Sequence, residues 1–318
     1  MLTTDINQAK ELLLKNELVA IPTETVYGLA GNAYNETAIK KIFQLKNRPR
    51  YNPLIVHIKS VAYLKHIACE IPDIAYKLAN EFWPGPLTLV LKKQEHISDV
   101  ISAGKNTVAV RVPSHPLTLA LLDILEFPLV APSANPFGSI SPTNATHVLN
   151  YFGKELDVIL DGGECEKGIE STIIGFENNQ PVLYRRGSIP EEEIEKIVGK
   201  LSISTQNDKS PNAPGMLSRH YAPITDTYLT DDVSALIKCF EGKKIGVLVF
   251  KSCTKNDNIL YQEILSKSGN FAEAAKNLYA AMHRLDKKNL DVIIAERLPD
   301  IGLGKTINDK LERATKKE

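Results

Sequence analysis

The chain lacks any cysteine pair of the CxxC kind. Its four cysteines, Cys69, Cys165, Cys239 and Cys253, are far apart, which argues against a zinc ribbon and a dithiol redox site. No two of the seven histidines stand four residues apart, and there is no HExxH, so no protein-ligated catalytic metal is expected. There is no basic excess either: Lys plus Arg and Asp plus Glu are both 38. Proteins that hold nucleic acid over a long surface carry such an excess, so an anionic ligand must be met by a local cluster of cations. No stretch approaches the roughly 20 apolar residues of a membrane helix. Residues 1–15 alternate polar and apolar without a signal-like core. The expectation is a cytoplasmic protein with reduced thiols and no membrane segment.

Two phosphate-binding signatures are missing as well. No GxGxxG follows the first strand-like segment, so a dinucleotide site is not expected. Gly302-Leu303-Gly304-Lys305-Thr306 imitates the end of a P-loop, but Pro299 holds the place of its first glycine. Proline has no amide to offer a phosphate, and a strand-to-helix turn with positive-φ glycines is the expected reading.

With 318 residues, 43% of them hydrophobic and 24% charged, the chain is long enough for two domains. Helical spacing marks 5–15, 37–46, 74–82 and 116–125; short apolar or alternating runs mark strands at 18–21, 54–58, 87–91, 107–112, 129–131, 158–160, 171–176 and 182–186. This mixture predicts one α/β domain on a twisted mixed sheet, over residues 1–200. A polar, Pro/Gly-punctuated stretch follows, giving a linker over 201–223. A smaller α/β domain is expected over 224–318, with strands at 245–250 and 292–295 and helices at 271–285 and 307–314.

Four segments carry candidate chemistry. In Lys46-Asn47-Arg48-Pro49-Arg50 three cations alternate with other residues. If Pro49 and Pro53 hold this segment extended, all three project together as a stiff rim suited to a polyphosphate. In 107–112 the valines 108, 110 and 112 face one way and Arg111 the other. Arg111 then faces water, a cleft or an ion-pair partner, and arginine clamps carboxylates and phosphates bidentately. Ala131-Pro132-Ser133-Ala134-Asn135-Pro136 and Gly138–Thr143 offer short donors on a proline-stiffened loop; the plain alternative is turn and cap chemistry, with Thr143 capping a helix through His147. Last, Gly168-Ile169-Glu170-Ser171-Thr172 precedes Arg185-Arg186-Gly187, whose two arginines point to opposite faces, one toward a site and one toward the surface.

In order, Pro22-Thr23-Glu24-Thr25-Val26-Tyr27-Gly28-Leu29, Lys46-x-Arg48-Pro49 with Pro53-Leu54 and His57, Trp83-Pro84-Gly85-Pro86-Leu87-Thr88, Arg111-Val112-Pro113, Pro132-Ser133-Ala134-Asn135, Ser171-Thr172 and Arg185-x-Gly187 resemble the YrdC-like family of threonylcarbamoyl-adenylate synthases. The resemblance covers about residues 10–190. Ala213-Pro214-Gly215-Met216 and His220-Tyr221-Ala222-Pro223 resemble the linker of the family's long form, which adds a small Rossmann-like domain.

The resemblance implies a nucleotidyltransferase that joins L-threonine, bicarbonate and ATP into threonylcarbamoyl-AMP and diphosphate. A separate tRNA threonylcarbamoyl transferase consumes the product. Threonine would meet Thr25, His57, Arg111, Ala131 and Ser171, with Arg111 on its carboxylate. ATP would meet Lys46, Arg48, Asn52, Thr107, Ser133, Asn135, Ser141 and Arg185, with His220 and Tyr221 of the linker covering the nucleotide. Lys46 and Arg48 would act as charge stabilisers; no general base is implied, and His57 is either a proton acceptor or a hydrogen-bonding group. Mg2+ would arrive with ATP. Asn308-Asp309-Lys310 departs from an expected Asn-Arg pair and is expected to touch only the small domain. Two other readings were weighed. Net neutrality speaks against an RNA-binding module, so direct tRNA binding is not expected. A carbamoyl-transfer domain of the hydrogenase-maturation type would bring zinc-finger modules whose cysteines are missing.

Overall fold

A computed structural model describes residues 1–204, 211–217 and 220–315. Part of the expected linker, residues 205–210 and 218–219, therefore lies outside the described residues.

Strands β1 (Leu2–Thr3), β2 (Val19–Ile21), β3 (Gly28–Asn32), β4 (Ile55–His57), β5 (Leu87–Lys92), β6 (Thr107–Arg111), β7 (Leu129–Val130), β8 (Ile159–Leu160), β9 (Thr172–Glu177), β10 (Gln180–Arg185) and β11 (Ser202–Ile203) form one sheet. Its order is β1-β8-β2-β3-β7-β4-β6-β5-β9-β10-β11. β4 runs parallel to β6, β6 antiparallel to β5, and β5 parallel to β9. This is the expected mixed sheet. A second sheet, of β12 (Thr227–Thr230), β13 (Ile245–Val249), β14 (Ile259–Ile264) and β15 (Val292–Glu296), is wholly parallel in the order β12-β15-β13-β14.

The helices are α1 (Ile6–Leu14), α2 (Glu36–Lys46), α3 (Asp73–Phe82), α4 (Asp99–Ser102), α5 (Pro116–Ile124), α6 (Ala145–Phe152), α7 (Glu191–Val198), α8 (Val233–Lys238), α9 (Phe271–Asp286) and α10 (Leu303–Ala314). Most begin on a side-chain cap: Asn35 accepts from Ala38 N, Asn270 from Glu273 N and Asn144 from His147 N. Asn144, not Thr143, therefore caps α6; an amide oxygen at this position reaches the free N–H of the first turn. Gly302 at the start of α10 has φ +49°, so the P-loop look-alike is the strand-to-helix turn expected of it.

β3 escaped the sequence reading because Gly28-Leu29-Ala30-Gly31-Asn32 carries three poor strand formers, two glycines and an asparagine. Close packing explains one of them. A Cβ on Gly31 would stand 3.1 Å from Leu18 and 3.2 Å from Ile42, so glycine lets α2 lie directly on the strand.

Strand β6 places the site. Val108, Val110 and Val112 enter the main core, which turns Arg111 to the opposite face. The parallel register sets Arg111 beside His57 of β4. The small domain does not stand apart from this sheet. Its inner core, formed by α9, α10 and β15, also takes in Val26, Ile140, Ile169 and Tyr221. At Gly168 (φ +70°) an added Cβ would lie 2.2 Å from the Lys276 carbonyl oxygen; α9 rests on the 168–170 backbone itself.

Candidate active site

A pocket of about 590 Å³ opens where the ends of β4, β6, β9 and β10 meet the 22–28 and 131–135 loops and the linker. Thr25, Arg48, His57, Arg111, Ala131, Ser133, Ser171, Arg185, His220 and Tyr221 all line it. They come from eight separate stretches of sequence.

One end is built for a carboxylate. Arg111, only 3% exposed, donates from Nη2 to Glu24 Oε1 at 2.6 Å, from Nη1 to Thr25 Oγ1 at 2.9 Å and from Nε to Gly85 O at 3.2 Å. The Trp83-Pro84-Gly85-Pro86 breaker that ends α3 thus supplies the last acceptor. Thr25 is fixed in turn by Thr23, whose Oγ1 lies 2.8 Å from its own. Burial alone would raise the Glu24 carboxyl, but the Arg111 charge and hydrogen bonds from Arg111 and the Ser114 amide outweigh it and hold the pKa below the ordinary value. His57 is pushed down to about 3, by burial first and then by Arg111. It is a neutral imidazole at working pH, and a hydrogen-bonding role fits it better than that of a base.

The other end is cationic. Arg48 donates to Asn52 O at 3.1 Å, Asn52 Oδ1 at 2.8 Å and Pro53 O at 2.7 Å. Lys46, 1% exposed, sits just behind and donates to the Ser133 and Asn135 carbonyls. Arg185 grips Ser171 O at 2.8 Å and Ser171 Oγ at 3.0 Å, while Arg186 turns away to Glu191. Burial and the nearby Arg185 charge lower Arg48 to about 9. Burial and Arg48 hold Lys46 well below its usual value. Cations depressed in this way are short of an anion.

The linker closes over this end. Arg185 Nη1 donates to Pro214 O at 3.0 Å, His220 N to Arg313 O at 2.9 Å and Ala222 N to Gly138 O at 2.8 Å. His220 is buried and held neutral, by burial and then by Arg48, Lys46, Arg185 and Lys310. Among the described residues, Asn52 Nδ2, His57 Nδ1, Asn135 Oδ1, His220 Nδ1 and Tyr221 OH are buried without a hydrogen-bond partner. Such atoms are rare in folded proteins, and here they gather in one neighbourhood.

Three sequence expectations need correction. The cations of 46–50 do not project together. Helix α2 runs on through Lys46 and ends on Asn47 at φ +51°, so Lys46 and Arg48 turn inward while Arg50 is exposed at a separate outer cleft. Thr107 is not among the residues that line this pocket; it opens β6 opposite Lys92, four residues before Arg111 and on the same strand face. The segment 308–310 does not touch only the small domain. Lys310 Nζ donates to Arg186 O at 2.8 Å and lies 5.2 Å from the Tyr221 ring centroid. Asn52, Asn135 and Ser141 lie just behind the lining. Asn52 holds Arg48, Asn135 donates to Ser139 O at 2.8 Å, and Ser141 donates to Glu170 Oε1 at 2.6 Å. Glu24, Glu170 and Gly85 were missed as site residues, because their partners lie far away in sequence.

The buried histidines make stability sensitive to acid. His57 and His147 are lowered to about 3 and His283 to about 4, each by burial first; His147 and His283 stack across the domain junction, 3.9 Å between centroids. Unfolded, these rings take protons below about pH 6.5, while the folded protein does not until near pH 3–4. The unfolded state therefore binds more protons in that window, and stability falls as pH drops through it. Thermal midpoints should fall steadily from pH 7 to pH 5; an unchanged midpoint would show that the rings charge freely in the fold.

A family model described as Telomere recombination, of the Sua5–YciO–YrdC group, matches residues 11–187. A second, described as the C-terminal domain of threonylcarbamoyl-AMP synthase, matches residues 189–315. A threonylcarbamoyl-AMP synthase of Bacillus subtilis is 40% identical, covering 97% of this chain and 92% of its own. The crystal structure of Pyrococcus abyssi Sua5 with L-threonine superposes with a TM-score of 0.91 at 42% identity, over 98% of this chain and 94% of that one. A variant of the same P. abyssi protein, with an adjacent His and Tyr both changed to Ala, gives a TM-score of 0.92 at 40% identity, over 99% and 95% of the two chains.

Proposed function

The chain belongs to the threonylcarbamoyl-AMP synthase family, in its two-domain form, and we propose that the pocket joins L-threonine, bicarbonate and ATP with release of diphosphate. The enzyme is a nucleotidyltransferase that makes threonylcarbamoyl-AMP. One observation carries the assignment of roles: the pocket has a carboxylate end at Arg111 and an anion-hungry end at Lys46, Arg48 and Arg185, which matches a substrate pair of an amino acid and a nucleoside triphosphate.

Threonine lies with its carboxylate on Arg111 and its other polar groups toward Thr25, His57, Ser171 and the Ala131 backbone. Its amine and bicarbonate combine to a carbamate with loss of water. A carbamate oxygen attacks the α-phosphorus of ATP, the bond to the bridging oxygen of the β-phosphate breaks, and diphosphate leaves. Negative charge grows on that leaving group, beside Lys46, Arg48 and Arg185, where buried donors are worth most. Bicarbonate and carbamate carry their own charge, so positioning replaces a general base. Magnesium bound to the ATP phosphates would supply charge neutralisation there, with water and phosphate oxygens as its usual partners. No side chain is assigned to it, because both oxygens of Glu24 and both of Glu170 are taken by protein donors. No helix among the described residues is long and apolar enough to cross a membrane; we place the reaction in the cytoplasm, with a tRNA threonylcarbamoyl transferase as the next enzyme. His220-Tyr221 is the one His-Tyr dipeptide of the chain, and its place in the roof fits a cover for the nucleotide.

The test is release of diphosphate from ATP by the purified protein, with threonine and bicarbonate each omitted in turn. Release that ignores threonine would overturn the assignment. Within the same assay, Arg48→Ala should lower turnover about a hundredfold with little change in threonine KM. Lys46→Ala should lower turnover and also raise ATP KM, since its Nζ fixes the Ser133 and Asn135 carbonyls. Wild-type turnover in both variants at saturating ATP would reduce these residues to structural cations.

A further inference from the structure

Tyr279 lies on α9 of the small domain and is fully buried. Its hydroxyl crosses the junction and donates to Glu170 Oε2 at 2.7 Å. The other oxygen, Oε1, accepts from Ser141 Oγ at 2.6 Å. One buried carboxylate thus ties a helix of the small domain to the 138–143 loop of the large one. Glu170 also lines the pocket. Its own backbone oxygen is held by Ser188 N at 2.9 Å, and α9 presses on the backbone two residues earlier, at Gly168. The Tyr221 ring of the roof stacks on Tyr279, with 5.6 Å between centroids and 30° between planes.

A carboxylate in this place is an electrostatic liability. The end of the pocket that it borders is cationic: Lys310 is close enough to feel its charge, and Arg185 grips Ser171, the very next residue. If Glu170 turned toward either cation it would neutralise a charge meant for an anionic ligand and set its own charge against it. Two hydroxyl donors hold both oxygens and keep the carboxylate aimed away. Only one of those donors belongs to the large domain.

We propose that Tyr279 is a positioning residue supplied by the small domain: it holds Glu170 off the cations and so keeps the nucleotide end open to a polyphosphate. The proposal rests on the ATP assignment made above. It also gives the small domain a part in the reaction, as a support behind the lining and not an appendage.

The test uses the full-length chain with Tyr279→Phe, which removes the hydroxyl and keeps the stacked ring. ATP affinity by calorimetry should weaken about tenfold, in the range expected for a lost hydrogen bond to a charged group. Threonine KM should stay within about twofold of wild type. Adding Glu170→Gln to that variant should restore most of the ATP affinity, because a neutral amide cannot compete for Arg185 or Lys310. Unchanged ATP affinity in Tyr279→Phe, threonine KM rising in step with ATP KM, or no rescue by Glu170→Gln each overturns the proposal. Should Tyr279→Phe fail to fold, Glu170→Asp decides, because it keeps the charge but shortens its reach to the Tyr279 hydroxyl: ATP affinity at least about fivefold weaker than in Glu170→Gln supports the liability, and a smaller difference or the reverse order contradicts it. A wild-type protein that binds ATP yet releases no diphosphate with threonine counts against the assigned reaction, while the calorimetric comparison still judges Tyr279.

Discussion

Arg111→Ala should weaken threonine binding by about 2–5 kcal/mol, roughly thirtyfold to several thousandfold, and leave ATP affinity within a few-fold of wild type. A guanidinium has five N–H groups. Glu24, Thr25 and Gly85 occupy one each on Nη2, Nη1 and Nε, so each terminal nitrogen keeps one N–H for a substrate oxygen. The loss has two sources: the missing donors, and the stranded Glu24 carboxylate, which would face the substrate's own carboxylate from a buried position. Because stranding Glu24 also lowers stability, Arg111→Lys is the needed companion. It keeps the charge beside Glu24 but loses the fork, so it should fold normally and still bind threonine poorly. Calorimetry showing wild-type threonine affinity in Arg111→Ala would remove Arg111 from the substrate site. ATP affinity falling equally in both variants would mean that the carboxylate end and the cationic end are not separate.

Arg111 was legible in the sequence because β6 alternates cleanly: three valines on one face leave one face for the exception, and the register beside His57 does the rest. Its partner Glu24 was not legible, being 87 residues away in sequence. The same holds for Tyr279 and Glu170, separated by 109 residues; nothing local in either segment signals the other. Lys46 and Arg48 were legible as residue types and misread as geometry. Prolines at 49 and 53 argued for an extended segment, but α2 carries its own stop, an asparagine in the left-handed region at 47, and the helix end, not the prolines, aims the cations. The α/β class, the linker composition and most elements followed from periodicity, whereas β3 did not, since the closeness that demands its glycines is a tertiary fact. The small domain's packing against the segments that form the pocket could not be read at all. A linker composition invites the picture of a tether, yet Val26, Ile140 and Ile169 lie in one apolar cluster with α9 and α10.

That shared core changes the test of the roof. Cutting the chain before Ser210, a position outside the described residues, would remove the linker. It would also uncover Val26, Ile140 and Ile169, strip Tyr279 from Glu170 and break the Thr306 bond to Gly187 O. Weak synthesis by such a fragment would not distinguish a lost cover from a damaged wall. The cleaner change is His220→Ala with Tyr221→Ala. The linker's other ties, Arg185 to Pro214, Arg313 to Leu217 and Ala222 to Gly138, all lie outside that pair, so the backbone path should survive. The two rings do not satisfy themselves: His220 Nδ1 and Tyr221 OH are buried without partners, and the ring of His220 leans on Phe137 and on Tyr221, 5.7 and 4.1 Å between centroids. They close the pocket but leave polar atoms for what it holds. Removing them should lower threonylcarbamoyl-AMP yield at least about tenfold and raise the fraction of ATP consumed without product, because an uncovered acyl phosphate meets water. In the wild-type chain, proteolysis between Ser202 and Gly215 should slow when ATP and threonine are both present, and in the double variant that protection should be lost. If the double variant makes the adenylate as fast and as cleanly as the wild type, the linker is a tether, and exclusion of water must come from the walls alone.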